Sequence, residues 1–202
     1  MSPNQGRLAV NRLRERLPVD HAVLDRFVGR HGSPIIEGER ATFVYRGEAD
    51  EVRVRHRVVG LPDPLEMRRL PGTDLWAATT VLPEGSRVEY QLETRRGDHC
   101  ERFNDPLNPR EAHSPLGSSS VCAALGYKVP AWAQHDPEAR PGELIDDVVR
   151  SKALRREQPV RVYLPARFST ALRYPLLVVH DGQDYLDYAA MKTVLDNLIH
   201  RL

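Results

Sequence analysis

From Glu39 to about Ala124 apolar and polar residues alternate with a period of two. ATFVYRG, EVRVRHRV, LWAATTVL and SRVEYQLETRR are rich in β-branched and aromatic residues and predict strands. In EVRVRHRV the alternation sets Val52, Val54, His56 and Val58 on one face and Arg53, Arg55 and Arg57 on the other. Turn-forming clusters separate the strands: GEAD, GLPDP, LPGTD, LPEG and RRGD. Short strands at this spacing predict a small antiparallel β-sandwich. Ahead of it, PVDHAVLDRFVGRH (18–31) carries Val19, Val23 and Phe27 four residues apart. That spacing predicts a short amphipathic helix, with Pro18 in its first turn and Gly29 or Gly32 at its end. The Arg-rich stretch before it, with Arg7, Arg12, Arg14 and Arg16, reads as a solvated terminal helix.

After the sandwich the pattern changes twice. Residues 104–142 are dominated by Pro, Asn, Ser and Gly and predict irregular chain lying along a surface, with Tyr127 and Trp132 as anchors. The last sixty residues return to regular structure. GELIDDVVRS and PVRVYLPARF predict strands at the edge of an α/β sheet. Leu176 to Val179 form a continuous apolar run, which predicts a strand buried on both faces. Leu186, Ala190, Val194, Leu198 and Leu202 recur every four residues and predict one helix with a single apolar stripe. A crossover helix returns the chain to a parallel strand. The sequence holds none after it, so it reads as an N-terminal fragment with its sheet unfinished.

Composition narrows the function classes. The chain has 202 residues, 41% hydrophobic and 28% charged, as expected of a globular protein of one or two domains. It has no apolar run long enough for a membrane span and no secretory leader, so a cytoplasmic protein is expected. Of 29 basic residues only Lys128, Lys152 and Lys192 are lysines, and 28 acids nearly cancel the basic charge. With no basic block, nucleic acid is not an expected partner. Cys100 and Cys122 fall in neighbouring strand-like segments; they are either a disulfide or, as a reducing compartment favours, two small half-buried hydrophobes. His21, His31, His56, His99, His113, His135 and His200 lack metal-site spacing, so neither metal nor cofactor is expected.

ATFVYRG, GLPDP, LPGTDLW, VEYQLE and NDPLNP, followed by RVYLPARF and YPLLVVHDGQDY, resemble the enterochelin esterase-like family of serine esterases. The resemblance covers about residues 39–202. It implies an early-set immunoglobulin-like domain followed by a catalytic domain of the α/β-hydrolase fold. The expected division is a helical segment at 1–38, the sandwich at 39–124, an ordered linker at 125–142 and the start of the hydrolase domain at 143–202. The activity implied is carboxyl-ester hydrolysis by a Ser, His and acid, with a small ester, such as a ferric catecholate siderophore, as substrate. No GxSxG nucleophile turn occurs here. The nearest string, GSSSV at 117–121, has Val in place of the second Gly, and its serines read as turn formers. No triad member is therefore assigned, and the chain is expected to be inactive alone.

HDGQDY (180–185) occupies the loop from which this fold draws an oxyanion-hole amide. A backbone donor must approach a developing oxyanion to about 3 Å, which a residue without Cβ favours. Gly182, Gln183 and Asp184 are the candidate amide donors; the bland reading is an Asp-Gly turn. Asp181 and Asp184 would brace the turn or cap the helix, and His180 reads as a structural histidine. Arg53, Arg55 and Arg57 are either a solvated face or an attraction for an anionic catecholate. A different class, a carbohydrate-binding module, would need an exposed platform from Trp76, Tyr45 and Tyr90. A third reading is a decayed or truncated product without either activity.

Overall fold

The computed structural model describes residues 8–61 and 63–201. They form two compact units, divided between Lys128 and Val129. The first begins with helices α1 (Ala9–Arg14) and α2 (His21–His31). The Asp20 carboxylate accepts the Val23 amide at 2.8 Å. This N-cap starts α2 at His21, so Pro18 lies in the connection instead of the first helical turn. α1 is not solvated either, because it buries Ala9, Val10 and Leu13. Arg7 lies outside the described residues.

Ten strands follow: β1 (Ile35–Glu37), β2 (Arg40–Arg46), β3 (Glu51–His56), β4 (Leu65–Glu66), β5 (Arg68–Arg69), β6 (Leu75–Val81), β7 (Arg87–Arg96), β8 (His99–Phe103), β9 (Glu111–Ser114) and β10 (Gly117–Ala123). One antiparallel sheet runs β1-β2-β6-β5; the other runs β4-β3-β7-β10-β9, with β8 also on β7. Ala41, Phe43, Tyr45, Trp76 and Ala78 of the first sheet meet Val52, Val54, Val88, Tyr90 and Leu92 of the second in one core. The Phe43 and Tyr90 rings meet edge to face at 4.7 Å between centroids. The opposite face of the first sheet is also covered: Val44, Leu75 and Ala77 pack with Leu8, Val10, Leu13 and Leu24. Strands β2 and β6 are thus buried on both faces, and the unit has three layers, not two.

Residues 104–124 are less irregular than their composition implies. The GSSSV serines lie in β10, paired to β9 and β7, and do not form a turn. Register also separates the cysteines, both of which are free thiols. Cys100 faces Arg95 and Cys122 faces Val88 at distant points on β7. Seven residues of strand span about 23 Å, far beyond the reach of a disulfide.

In the second unit β11 (Glu143–Ser151) and β12 (Arg156–Leu164) form one antiparallel hairpin in unbroken register. Leu176–Val179 is not a strand: it joins no ladder, and Leu176 is 88% exposed. A strand apolar on both faces needs neighbours and cover on both sides, and among the described residues of this unit none is supplied. No parallel strand pair occurs among them. The predicted single helix divides into α3 (Gly182–Tyr188) and α4 (Met191–His200). Ala190, with φ of 50°, breaks it, so Leu186 and Leu198 do not share one continuous stripe. Leu202 lies outside the described residues.

Candidate functional site

In the 180–185 turn the left-handed residue is Asp181, at φ 54°, and its side chain makes no capping bond. Gly182 is the first residue of α3, and a Cβ built on it would meet nothing within 4 Å. Its value there is open space above the backbone, since its own conformation does not demand glycine. The Asp184 amide donates to the Asp181 carbonyl at 3.0 Å and is therefore already engaged. Gly182 and Gln183 hold first-turn positions, whose N–H groups have no carbonyl within the helix to receive them. His180 is exposed beside them.

The turn is fixed to the hairpin by side chains that the sequence reading passed over. Arg161 on β12 donates to Asp146 at 2.8 Å and to Gln183 Oε1 at 3.0 Å. Gln183 Nε2 donates to Asp187 Oδ1 at 2.8 Å. A second clamp holds α4 to the hairpin's base. Asp196 accepts the Gly142 amide at 2.8 Å, the Tyr163 hydroxyl at 2.8 Å and the Lys192 ammonium at 2.7 Å. Burial alone would push the Asp196 carboxyl up; Lys192, the Gly142 amide and Tyr163 together hold it below its ordinary range. Burial, then Asp196, pushes the Tyr163 phenol up. A Cβ on Gly142 would lie 2.5 Å from the Leu164 carbonyl, so glycine is needed for the close approach. The buried Asn197 amide donates to the Trp132 and Gln134 carbonyls at 2.8 and 2.6 Å, fixing the 131–134 turn on α4. The sequence held one signal for this: alternation in VRVYLP sets Arg161 and Tyr163 on a common face.

The first unit disposes of two other candidates. Trp76, Tyr45 and Tyr90 are 6%, 7% and 1% exposed, so no stacking platform can form from them. Trp76 Nε1 donates inward to the Gly47 carbonyl at 3.1 Å. Arg53 and Arg55 are neutralised by nearby carboxylates, whereas the exposed Arg57 makes no ion pair among the described residues. Arg53 pairs with Glu51 and Glu66 at 2.7 and 3.0 Å, Arg55 approaches Asp63 at 3.7 Å, and Arg102 pairs with Glu93 at 2.8 Å. Arg95 pairs with Glu51. Arg102, ahead of the cost of burial, holds Glu93 below the usual carboxylate range.

The NDPLNP segment is organised by buried polar groups. The Tyr90 hydroxyl donates to Asp105 Oδ2 at 2.6 Å, and Asn108 donates to Tyr90 Oη at 3.1 Å and to the Val121 carbonyl at 2.9 Å. Ser120 accepts the Asp105 amide at 2.8 Å. Burial, reinforced by the Asp105 charge, pushes the Tyr90 phenol up, which keeps it a donor. Each group has its partners, which marks a structural lock and not a reactive site. Among the described residues no cluster of His, Cys, Asp and Glu fits a metal ion, and no helix is long and apolar enough to cross a membrane.

Residues 40–140 match the family described as enterochelin esterase, N-terminal, and residues 151–202 match the Esterase family. Among solved structures, the enterobactin esterase of Shigella flexneri, in the presence of enterobactin, is similar at 25% identity and a TM-score of 0.55, over 80% of this chain and 49% of its own. The ferric enterobactin esterase of Salmonella typhimurium gives 21% identity and a TM-score of 0.59, over 80% of this chain and 50% of its own. The Shigella flexneri enzyme with 2,3-di-hydroxy-N-benzoyl-serine gives 22% and 0.57, over 90% and 54%. This chain thus spans about half the length of the structures it matches. No curated protein matches it.

Proposed function

The chain belongs to the enterochelin esterase family, and from that premise we propose that it forms the N-terminal portion of a cytoplasmic serine carboxyl-ester hydrolase. The first unit is read as the early-set immunoglobulin-like domain, and the second as the opening of the α/β-hydrolase domain. The nucleophile, its acid and its base come from residues outside these 202, so the chain alone does not turn over ester. The substrate is an ester of a catechol-bearing siderophore. The amides of Gly182 and Gln183 supply one side of the oxyanion hole, where fixed donors lower the barrier by stabilising charge that develops only in the transition state. Arg161 and Gln183 hold that turn against β12.

One observation carries this reading: consecutive matches of residues 40–140 and 151–202 to an enterochelin esterase N-terminal region and an esterase region. The test is to isolate the native gene product, weigh it intact and incubate it with a ferric tris-catecholate trilactone, following release of dihydroxybenzoyl-serine. A mass well above 22.9 kDa with turnover is expected. A mass of 22.9 kDa with no turnover would overturn the proposal.

A further inference from the structure

We infer that the tip of the β11–β12 hairpin is a receiving contact for multiply charged anions, and that it favours anionic over neutral ester substrates. The substrate half of this inference rests on the esterase reading; the charge half rests on the hairpin itself.

Lys152, Ala153, Leu154 and Arg155 join the two strands, Arg156 opens the second, and all five are exposed. Arg150 is paired with Glu157 at 3.1 Å. Among the described residues, Lys152, Arg155 and Arg156 make no ion pair, and three cations stand within five positions. That contrasts with Arg53, Arg55, Arg95 and Arg102, whose charges are matched by Glu51, Glu66, Glu93 and Asp63. The backbone adds a second sign. Arg155 has φ of 51°, a left-handed conformation that Gly, Asn or Asp adopts with less strain. A cation occupies the position that turn chemistry would give to a small residue. The Leu154 amide donates to Ser151 Oγ at 3.1 Å, so the turn is organised.

Position follows from register. β11 and β12 pair without a break from Glu143–Leu164 to Ser151–Arg156, which makes the hairpin a continuous ribbon. Gly142 and Tyr163 tie α4 to its base, and Arg161 ties the 180–185 turn to its middle. The tip therefore projects beyond the turn, on the side away from α4. From Arg161 to Arg156 is about 16 Å of strand, roughly two screening lengths at physiological salt. Arg161 is itself paired with Asp146, so the three cations of the tip act without it, and most strongly at low ionic strength.

The test replaces Lys152→Gln, Arg155→Asn and Arg156→Gln together in the native gene product. Asn tolerates the left-handed position, and circular dichroism verifies the fold. Turnover of an anionic catechol ester and of an uncharged aryl ester is measured across salt concentrations, and binding of an iron(III) tris-catecholate complex is titrated separately. The expected result is a loss of kcat/KM on the order of tenfold for the anionic ester at low salt. It should come with a flattened salt dependence, no change for the neutral ester and weaker binding of the iron complex. Equal kcat/KM and equal binding in both proteins would overturn the inference. If neither protein hydrolyses any ester, the esterase reading falls, and binding alone then decides whether the tip receives anions.

Discussion

Replacing Tyr90 with Phe removes a single oxygen from the centre of the first unit and tests whether the NDPLNP segment is locked from inside. Asp105, 2% exposed, would keep the Leu107 amide on Oδ1 at 2.9 Å but lose the Tyr90 donor 2.6 Å from Oδ2. Asn108 would keep the Val121 carbonyl at 2.9 Å. The loss is therefore two hydrogen bonds, the one Tyr90 donates to a charged acceptor and the one it accepts from Asn108, and it leaves a buried carboxylate oxygen without that donor, about 2–3 kcal/mol in all. With a urea slope of about 2 kcal/mol per molar, the unfolding midpoint should fall by about 1 M. Trp76 in the core is the reporter, and Trp132→Phe removes the other of the two tryptophans. A midpoint shift under about 0.2 M would refute the reasoning, because it would mean water reaches Asp105 as easily as Tyr90 does. A cycle with Asp105→Asn then isolates the pair, and near-additive effects would equally argue against the lock.

Leu24→Ala should destabilise the first unit by about 2–5 kcal/mol, and Val59→Ala by under about 0.5, since Leu24 is 1% exposed and Val59 is 100% exposed; chemical denaturation compares them. Asp196 titrates below its ordinary value of 3.8, so its clamp on Gly142 and Tyr163 is fully present above that value. It is lost as pH falls through the lower folded pKa. Hydrogen exchange at Gly142 should accelerate in acid for the native protein and be fast and nearly pH-independent, after correction for intrinsic rates, in Asp196→Asn; equal profiles would contradict the clamp. Burial pushes the Cys122 thiol up to about 12, whereas Cys100 is exposed. A thiol reagent at pH 8 should therefore label one cysteine in the folded protein and two in denaturant, and two fast-reacting thiols in the fold would place Cys122 wrongly.

The strands of the sandwich were legible wherever one face met water, because only there does burial write a period of two. Val52, Val54, Val88 and Leu92 are such positions. The helical layer was not legible from alternation, although ATFVY carried a sign of it: with helices on one side and β3 and β7 on the other, Thr42 and Val44 are as buried as Phe43. The GSSSV strand escaped because serine is scored as a turn former. Here Ser118 and Ser120 are spent on Asn104 and the Asp105 amide, a tertiary partnership that no local pattern reveals. The break between α3 and α4 falls at Ala189 and Ala190, residues that favour helix, so nothing in composition announces it. Of the turn residues, the place of Gly182 was readable from HDGQDY; the engagement of the Asp184 amide and the grip of Arg161 on Gln183 depend on where β12 lies.

The three-layered packing of the first unit also governs the order in which the chain can fold as it is made. Helices α1 and α2 are translated early, yet the surface they cover includes Leu75 and Ala77 of β6. At about 5–20 residues per second, Leu24 waits several seconds for those partners to emerge. Until then Leu8, Val10, Leu13 and Leu24 lack those partners and remain an apolar stretch on the nascent chain. The last ladder of the unit closes later still, when β10 reaches β7. Helices α1 and α2 are therefore the part of this unit most dependent on whatever shields nascent chains, and slowing synthesis between Asp25 and Leu75 should lengthen that exposure.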